Sequence, residues 1–322
     1  MSTLLDTYET PTTPARSFGE ELQASMAAVR LQMKWFGTRR SVAASQKYQA
    51  ADMFDAESNF VSMGKKLLDT NHPAWRKLVA VRTRILTTWR NSTLPYPEPG
   101  TRLIRRQILE DFTETMNSLR RELQEAGEEL AYYYDELREA ARARLGRLYN
   151  PDDYPATMSG LFDVIIDHPN FEAPAYLRLV SPTLYQQEAD RIRHRFEESV
   201  KLAEDAFLGE LSKLVEHLTE RLSGSDDGKP KIFRDTVVTN LVEFFERFRR
   251  LNIGSSEDLD RMVSDVRRIV GDTTADDLRN SAPLRQHVAV ELSRVQASLD
   301  GLMVDRPRRN LIRRGGANAD RD

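Results

Sequence analysis

Two stripes of apolar side chains, each kept up over many helical turns and separated by a proline-broken insert, set the tightest limit on how this chain can fold. The first stripe is Ile104, Ile108, Phe112, Met116, Leu119, Leu123, Ala126, Leu130, Tyr134, Leu137, Ala141, Leu145 and Leu148. The second is Ile192, Phe196, Val200, Ala203, Phe207, Leu211, Leu214, Leu218 and Leu222. Steps of three and four put each set on one face of a helix, and a face this long predicts a coiled-coil-like seam. At 1.5 Å per residue the two helices, over residues 102–149 and 183–222, would be about 70 Å and 60 Å long. The expected fold is mainly α, with these helices zipped as a long antiparallel hairpin. Gly127 and Gly209 interrupt the arms, each at a cost of ~1 kcal/mol relative to Ala unless close packing offsets it.

The insert, residues 150–182, holds Pro151, Pro155, Pro169, Pro174 and Pro182, which forbid a continuous helix. Two β-prone runs, 161–166 and 175–180, predict a small β-hairpin at the arm tip, leaning on the arm ends because an isolated hairpin is marginal in water. Helical units are expected on either side of the arm. The N-terminal one, residues 17–91, would have helices through Met33, over 42–69 and over 73–90, with Pro73 in the first turn of the last, where its missing N–H costs nothing. Residues 92–101, with Pro95, Pro97, Pro99 and Gly100, read as a stiff linker. A polar loop at 223–231 precedes a C-terminal helical unit at 232–304, with helices near 232–250, 256–270, 274–279 and 282–302. Residues 1–16 and 305–322 read as a flexible tail and an Arg-rich disordered tail.

Composition fits elongated helices: 40% hydrophobic, 30% charged, and 47 basic against 50 acidic side chains. The near balance gives no global attraction to nucleic acid or anionic lipid. The absence of cysteine removes disulfides, thiolate metal sites and cysteine nucleophiles, and is compatible with a reducing cytoplasm. No run is long and apolar enough to span a membrane, and the Thr- and Pro-rich start lacks the apolar core of an export signal. A cytoplasmic protein without membrane association is expected.

Two segments resemble a bacterial and phage family catalogued as domain of unknown function number three thousand one hundred and fifty. One is 29–40, ending Trp35-Phe36-Gly37-Thr38-Arg39-Arg40. The other is Phe233-Arg234-Asp235-Thr236-Val237-Val238-Thr239-Asn240-Leu241, continued by Leu251-Asn252-Ile253, Leu259, Val270-Gly271, Asp277-Leu278-Arg279 and Leu284-Arg285. The resemblance carries no catalytic motif and no assigned activity. Genes of that family tend to sit beside MoxR-type AAA+ ATPases and von Willebrand A-domain proteins, which implies an adaptor or partner role.

Signatures of chemistry are weak. Gly224 to Lys229 is one residue short of a phosphate-binding loop, is acidic, and has Pro230 where a Ser or Thr would hold magnesium. Asp190, His194 and Glu198 share a helical face but alternate with Arg191, Arg193 and Arg195, as do ion-pair faces. His287 and Glu291 read the same way. The five histidines show no clustering with Ser and Asp in sequence. No catalytic residue, metal ligand or cofactor site is therefore assigned, and an enzyme is not expected.

Binding surfaces are better candidates. Trp35, Phe36, Arg39 and Arg40 are residue types enriched in interaction hot spots, although the two aromatics could equally plug the N-terminal unit. Phe162, Ile165, Phe171, Tyr176 and Leu177 supply more apolar surface than one small hairpin hides, so they bury against the arm ends or against a partner. Arg306, Arg308, Arg309, Arg313 and Arg314 make a basic tail suited to nucleic acid, anionic lipid or an acidic partner, or one that charge simply keeps soluble. The expected function is a non-enzymatic interaction or scaffold protein, self-assembling or serving an AAA+ ATPase. The alternative is a nucleic-acid-associated protein using the Arg-rich tail and the arginines at 39–40 and 102–106.

Overall fold

In the computed structural model, residues 24–222, 236–252, 254, 256–271 and 273–304 are described. The expectations for 1–16, 223–231 and 305–322 fall outside them. The protein is mainly helical with a small antiparallel sheet. Among the described residues no helix is long and apolar enough to cross a membrane. The chain divides into two compact units, with Ser199 the last residue of the first and Val200 the first of the second.

The first unit contains all the strands among the described residues. From Met26 the expected first helix is instead strand β1 (Met26–Lys34). Ala27, Val29, Leu31 and Met33 alternate there with Ala28, Arg30, Gln32 and Lys34, a period of two that outweighs the three-and-four spacing of Met26, Val29 and Met33. Next come β2 (Arg39–Ser41), α1 (Ala44–Asp52), β3 (Gly64–Lys66) and α2 (Pro73–Ser92). The expected helix over 42–69 is thus one short helix between two strands. The proline linker contributes β4 (Leu94–Pro95), and the start of the first arm is β5 (Thr101–Arg105). Then follow α3 (Leu109–Tyr132), α4 (Tyr134–Leu145), β6 (Asp163–Asp167), α5 (Ala175–Val180) and α6 (Pro182–Leu222).

The four-stranded sheet has the order β4-β5-β1-β6, antiparallel throughout. The hairpin expected in the insert is absent: 163–167 pairs with β1, and 175–180 is helix. Pro174 sits just before that helix, so the apolar run after it reads as strand by composition yet starts a helical turn.

Register fixes the faces of the sheet. Ala27 lies opposite Ile104, Leu31 opposite Ile166 and Met33 opposite Val164, so these side chains share one face. They belong to or pack against the same core as Trp75, Leu78 and Ile85 of α2 and Phe112, Met116, Leu119, Leu123, Ala126 and Leu130 of α3. The α3 face is the stripe read from sequence. Its helical partner is α2. Lys77 pairs with Glu129 at 2.5 Å and Arg84 with Glu122 at 2.6 Å, seven residues forward on one helix and seven back on the other, so the two helices are antiparallel. The seam expected between 102–149 and 183–222 is replaced by this one. Spacing marks a buried face and says nothing about what covers it.

Gly127 now has a packing reason, because a Cβ there would stand 3.4 Å from the Phe162 ring. Tyr134 starts α4 and donates from its hydroxyl to the Pro155 carbonyl at 2.7 Å, tying the insert to the helix break at Tyr133. On the opposite sheet face Met26, Ala28, Leu94, Thr101 and Leu103 are also buried. Tyr96 stacks there on Phe171 at 4.5 Å, and Phe196 of α6 meets both rings edge-on.

The second unit holds residues 200–222 of α6, then α7 (Thr236–Leu251), α8 (Glu257–Val270), α9 (Ala275–Asn280) and α10 (Ala282–Val304), close to the expected helices. Phe207 packs edge-on to Phe248 at 5.1 Å and to Phe244 at 6.1 Å. Arg247 pairs with Glu210, and Gln296 donates to the Ser212 hydroxyl at 3.1 Å, so the second half of the α6 stripe finds its partners on α7 and α10. Thr274 and Asp277 form a reciprocal capping box that starts α9.

Candidate functional site

The β2–β3 hairpin is the base of a 22-residue excursion, residues 42–63, that carries the most exposed aromatics of the first unit apart from Tyr132. In the hairpin Arg39 lies opposite Lys66, Arg40 opposite Lys65 and Ser41 opposite Gly64. The Val42 amide donates to the Met63 carbonyl at 3.2 Å and the Leu67 amide to the Thr38 carbonyl at 2.8 Å, which continue the pairing at both ends. The base is anchored from beneath. Lys65 is 7% exposed; its ammonium meets Asp153 at 2.6 Å and donates to the Leu148 carbonyl at 2.7 Å. The Tyr154 hydroxyl donates to the Leu67 carbonyl at 3.0 Å, and burial pushes its pKa up to about 12. Removing water from Lys65 is costly unless it is paired, and here it is.

From this base α1 projects, with Gln46 reaching the Arg147 carbonyl at 3.2 Å and Ala51 buried. The helix ends in a Schellman motif: the Asp55 amide donates to the Asp52 carbonyl and the Ala56 amide to the Ala51 carbonyl. Asp55 holds the left-handed position, φ 51°, that glycine usually takes. This turn fixes the chain direction and leaves Met53 81% and Phe54 80% exposed; Phe60, on the short 3-10 turn that follows, is 87% exposed. Burying a Phe or Met side chain is worth about 1.5–3 kcal/mol. The excursion leaves that gain uncollected at three neighbouring positions while its backbone is held by both ends. Asp52, Asp55 and Glu57 lie between the apolar residues, exposed and outside ion-pair distance of any described base.

A second exposed apolar patch lies on α5 and the start of α6. Leu179 is 90% exposed, Val180 74%, Tyr176 64% and Leu184 50%. Arg178 lies 4.6 Å over the Tyr185 ring and donates to its hydroxyl at 2.9 Å. It is the one charged side chain between Ala173 and Tyr185.

The residues singled out from sequence scatter. Trp35 packs edge-on against Trp75 at 5.8 Å and Phe162 at 5.0 Å, with the Arg82 guanidinium 4.8 Å over its ring. Phe36 is half-buried against the same core. Phe162 is 3% exposed and closed to any partner. Phe171 is half-buried against Tyr96, Leu177 is half-buried, and Ile165 is 44% exposed. Arg39 and Arg40 are exposed on the hairpin, and Tyr176 joins the second patch. Arg306, Arg308, Arg309, Arg313 and Arg314 lie outside the described residues. The excursion escaped the sequence reading, because Tyr48, Ala51 and Phe54 step by three and so imitate a helical core face. The usable signal was Asp52, Asp55 and Glu57, which place charge on both sides of Phe54, with Glu57 and Ser58 at the i+3 and i+4 positions where a continuing core face would be apolar.

Elsewhere a groove of about 700 Å³ is lined by Met26, Ala28, Phe171 and Phe196 with Arg106 and His168. Its polar groups are turned to the chain itself: Arg106 donates to the Met26 carbonyl at 3.0 Å, and His168 Nδ1 lies 3.3 Å from the Ala28 carbonyl. Among the described residues no three His, Asp or Glu side chains are grouped to hold a metal ion. Asp190 is engaged by Arg193 at 3.1 Å and Glu291 by Arg294 at 2.6 Å. No family model, curated protein or solved structure matches the chain.

Proposed function

We propose that this chain is a non-enzymatic interaction protein, an adaptor or scaffold subunit, that makes contact through the excursion between β2 and β3. The observation that supports this is the exposure of Met53, Phe54 and Phe60 at 80–87% on a segment pinned by the Lys65 anchor, the hairpin and the Schellman turn. Apolar side chains on a pinned backbone cost less ordering entropy on docking than those on a mobile one, and large aromatics at the centre of a contact carry most of its binding energy. Under the family resemblance the system served would be one built around a MoxR-type AAA+ ATPase in the cytoplasm. The test is native purification of the tagged full chain and of a Phe54→Asp/Phe60→Asp variant. The variant should lose the proteins that co-elute with the parent; an unchanged set contradicts the reading.

A second reading, nucleic-acid association, draws on the hairpin itself. Arg39 faces Lys66 and Arg40 faces Lys65, like charges that repel when directly opposite, and no described acid pairs with Arg39, Arg40 or Lys66. Binding to single-stranded DNA that weakens steeply with salt and is lost in Arg39→Ala/Arg40→Ala would favour it.

A further inference from the structure

We infer that the docking partner of the excursion is the Tyr176–Leu184 corner of a second copy of this chain, so that copies associate head to tail. The inference rests on the reading of the excursion as a contact surface and names what covers it. Both patches belong to the first unit, and each is more apolar and more exposed than the rest of the described surface requires. At roughly 200 Å² per large side chain, the exposed part of Tyr48, Met53, Phe54 and Phe60 comes to about 600 Å². The corner offers about 550 Å² on the same basis. A contact joining them buries about 1,150 Å², just above the lower limit for a specific interface, and so predicts weak association.

Charge decides the pairing. The charged residues of the excursion are Lys47 and three acids, Asp52, Asp55 and Glu57, with the acids lying among the exposed side chains; between Ala173 and Tyr185 the one charge is Arg178. A symmetric contact of excursion with excursion would set two surfaces of net charge −2 against one another, and corner with corner would oppose the two Arg178 side chains. Excursion against corner is the arrangement in which the charges attract, and it places apolar surface on apolar surface. Because the two surfaces differ, the contact is heterologous, and each added copy leaves one of each free. Growth continues until a ring closes or a filament forms.

The test uses the purified full chain, an excursion variant (Phe54→Asp/Phe60→Asp) and a corner variant (Leu179→Asp). All three positions are solvent-exposed, so the variants keep the fold, as circular dichroism would verify. In sedimentation velocity the parent should form species larger than a dimer as its concentration rises to about 100 µM, while each variant alone stays monomeric. The equimolar mixture should restore association, because the corner variant keeps its excursion and the excursion variant keeps its corner. That mixture has one intact interface per pair, so native mass spectrometry should find the mixed dimer and nothing larger. A parent that stays monomeric at about 100 µM, or a mixture that does not associate, overturns the head-to-tail contact. If the excursion variant still sheds a different co-eluting protein, the contact-surface reading survives without self-assembly; if it sheds nothing, both fall.

Discussion

Replacing Ile85 of α2 and Leu123 of α3 with alanine, singly and together, measures whether these two helices share a seam. The ion pairs Lys77–Glu129 and Arg84–Glu122 set Ile85 level with Arg121, between Leu119 and Leu123 on the buried face. Ile85 and Leu123 are both 0% exposed. Each truncation removes apolar contacts and leaves a void, at a cost of about 3 kcal/mol within the usual 2–5. With a urea slope of about 2 kcal/mol per M for a unit of this size, each midpoint should fall by about 1.5 M. Trp35, Trp75 and Trp89 all lie in the first unit, so tryptophan fluorescence reports this unit without interference from the second. Because the two side chains line one seam, the double variant should deviate from additivity by about 1 kcal/mol. Phe196→Ala removes a ring that packs on Tyr96 and Phe171 instead, and should add to Leu123→Ala within about 0.5 kcal/mol. Additivity for Ile85 with Leu123, or coupling of Leu123 with Phe196, would refute the assignment of α2 as the helix that fills the α3 stripe.

Three further outcomes follow from local geometry. Gly209 sits inside α6 with nothing within 4 Å of where a Cβ would go, so Gly209→Ala should stabilise the second unit by about 1 kcal/mol, read from thermal circular dichroism. Asp55→Gly places the preferred residue in the left-handed turn and should stabilise the excursion by about 1 kcal/mol, seen as slower amide exchange at Asp55 and Ala56. The Arg120 side chain donates two hydrogen bonds of 2.7 Å to Asp163 and holds its carboxyl below the ordinary 3.8. The folded state therefore binds that proton less readily than the unfolded chain, so the contribution is present above 3.8 and is lost as the pH falls through the lower folded value. Acid unfolding followed by tryptophan fluorescence should be less steep for Arg120→Met than for the parent.

Long regular patterns were legible. Pro73 with the spacing through Trp75, Leu78 and Ile85 marks α2, and the buried positions of α3 are those of the first stripe. The α6 helix and the four later helices also lie close to where periodicity puts them. What periodicity does not carry is partnership, which is why α3 turns to α2 and the sheet. Short strands were lost to helix because Met26, Val29 and Met33 fit the three-and-four spacing of a helix and burial on both sheet faces blurs the alternation, so that only pairing with β5 and β6 decides. Of the candidate site, Arg39, Arg40 and Tyr176 are at the surface, while Phe162 is interior, packed against Trp35, Trp75 and Gly127. The excursion was not legible: Tyr48, Ala51 and Phe54 step by three as in a helix, and the exposure of its aromatics follows from where the hairpin and the turn at Asp55 send the chain.

Hydroxyl-radical footprinting of the dilute full chain tests the central claim most directly. Met53, Phe54 and Phe60 should be among the most heavily oxidised side chains, with Met116 and Phe162 left intact, and the three should become protected as concentration rises. Oxidation of Met53 as slow as that of Met116 in the monomer would contradict the account.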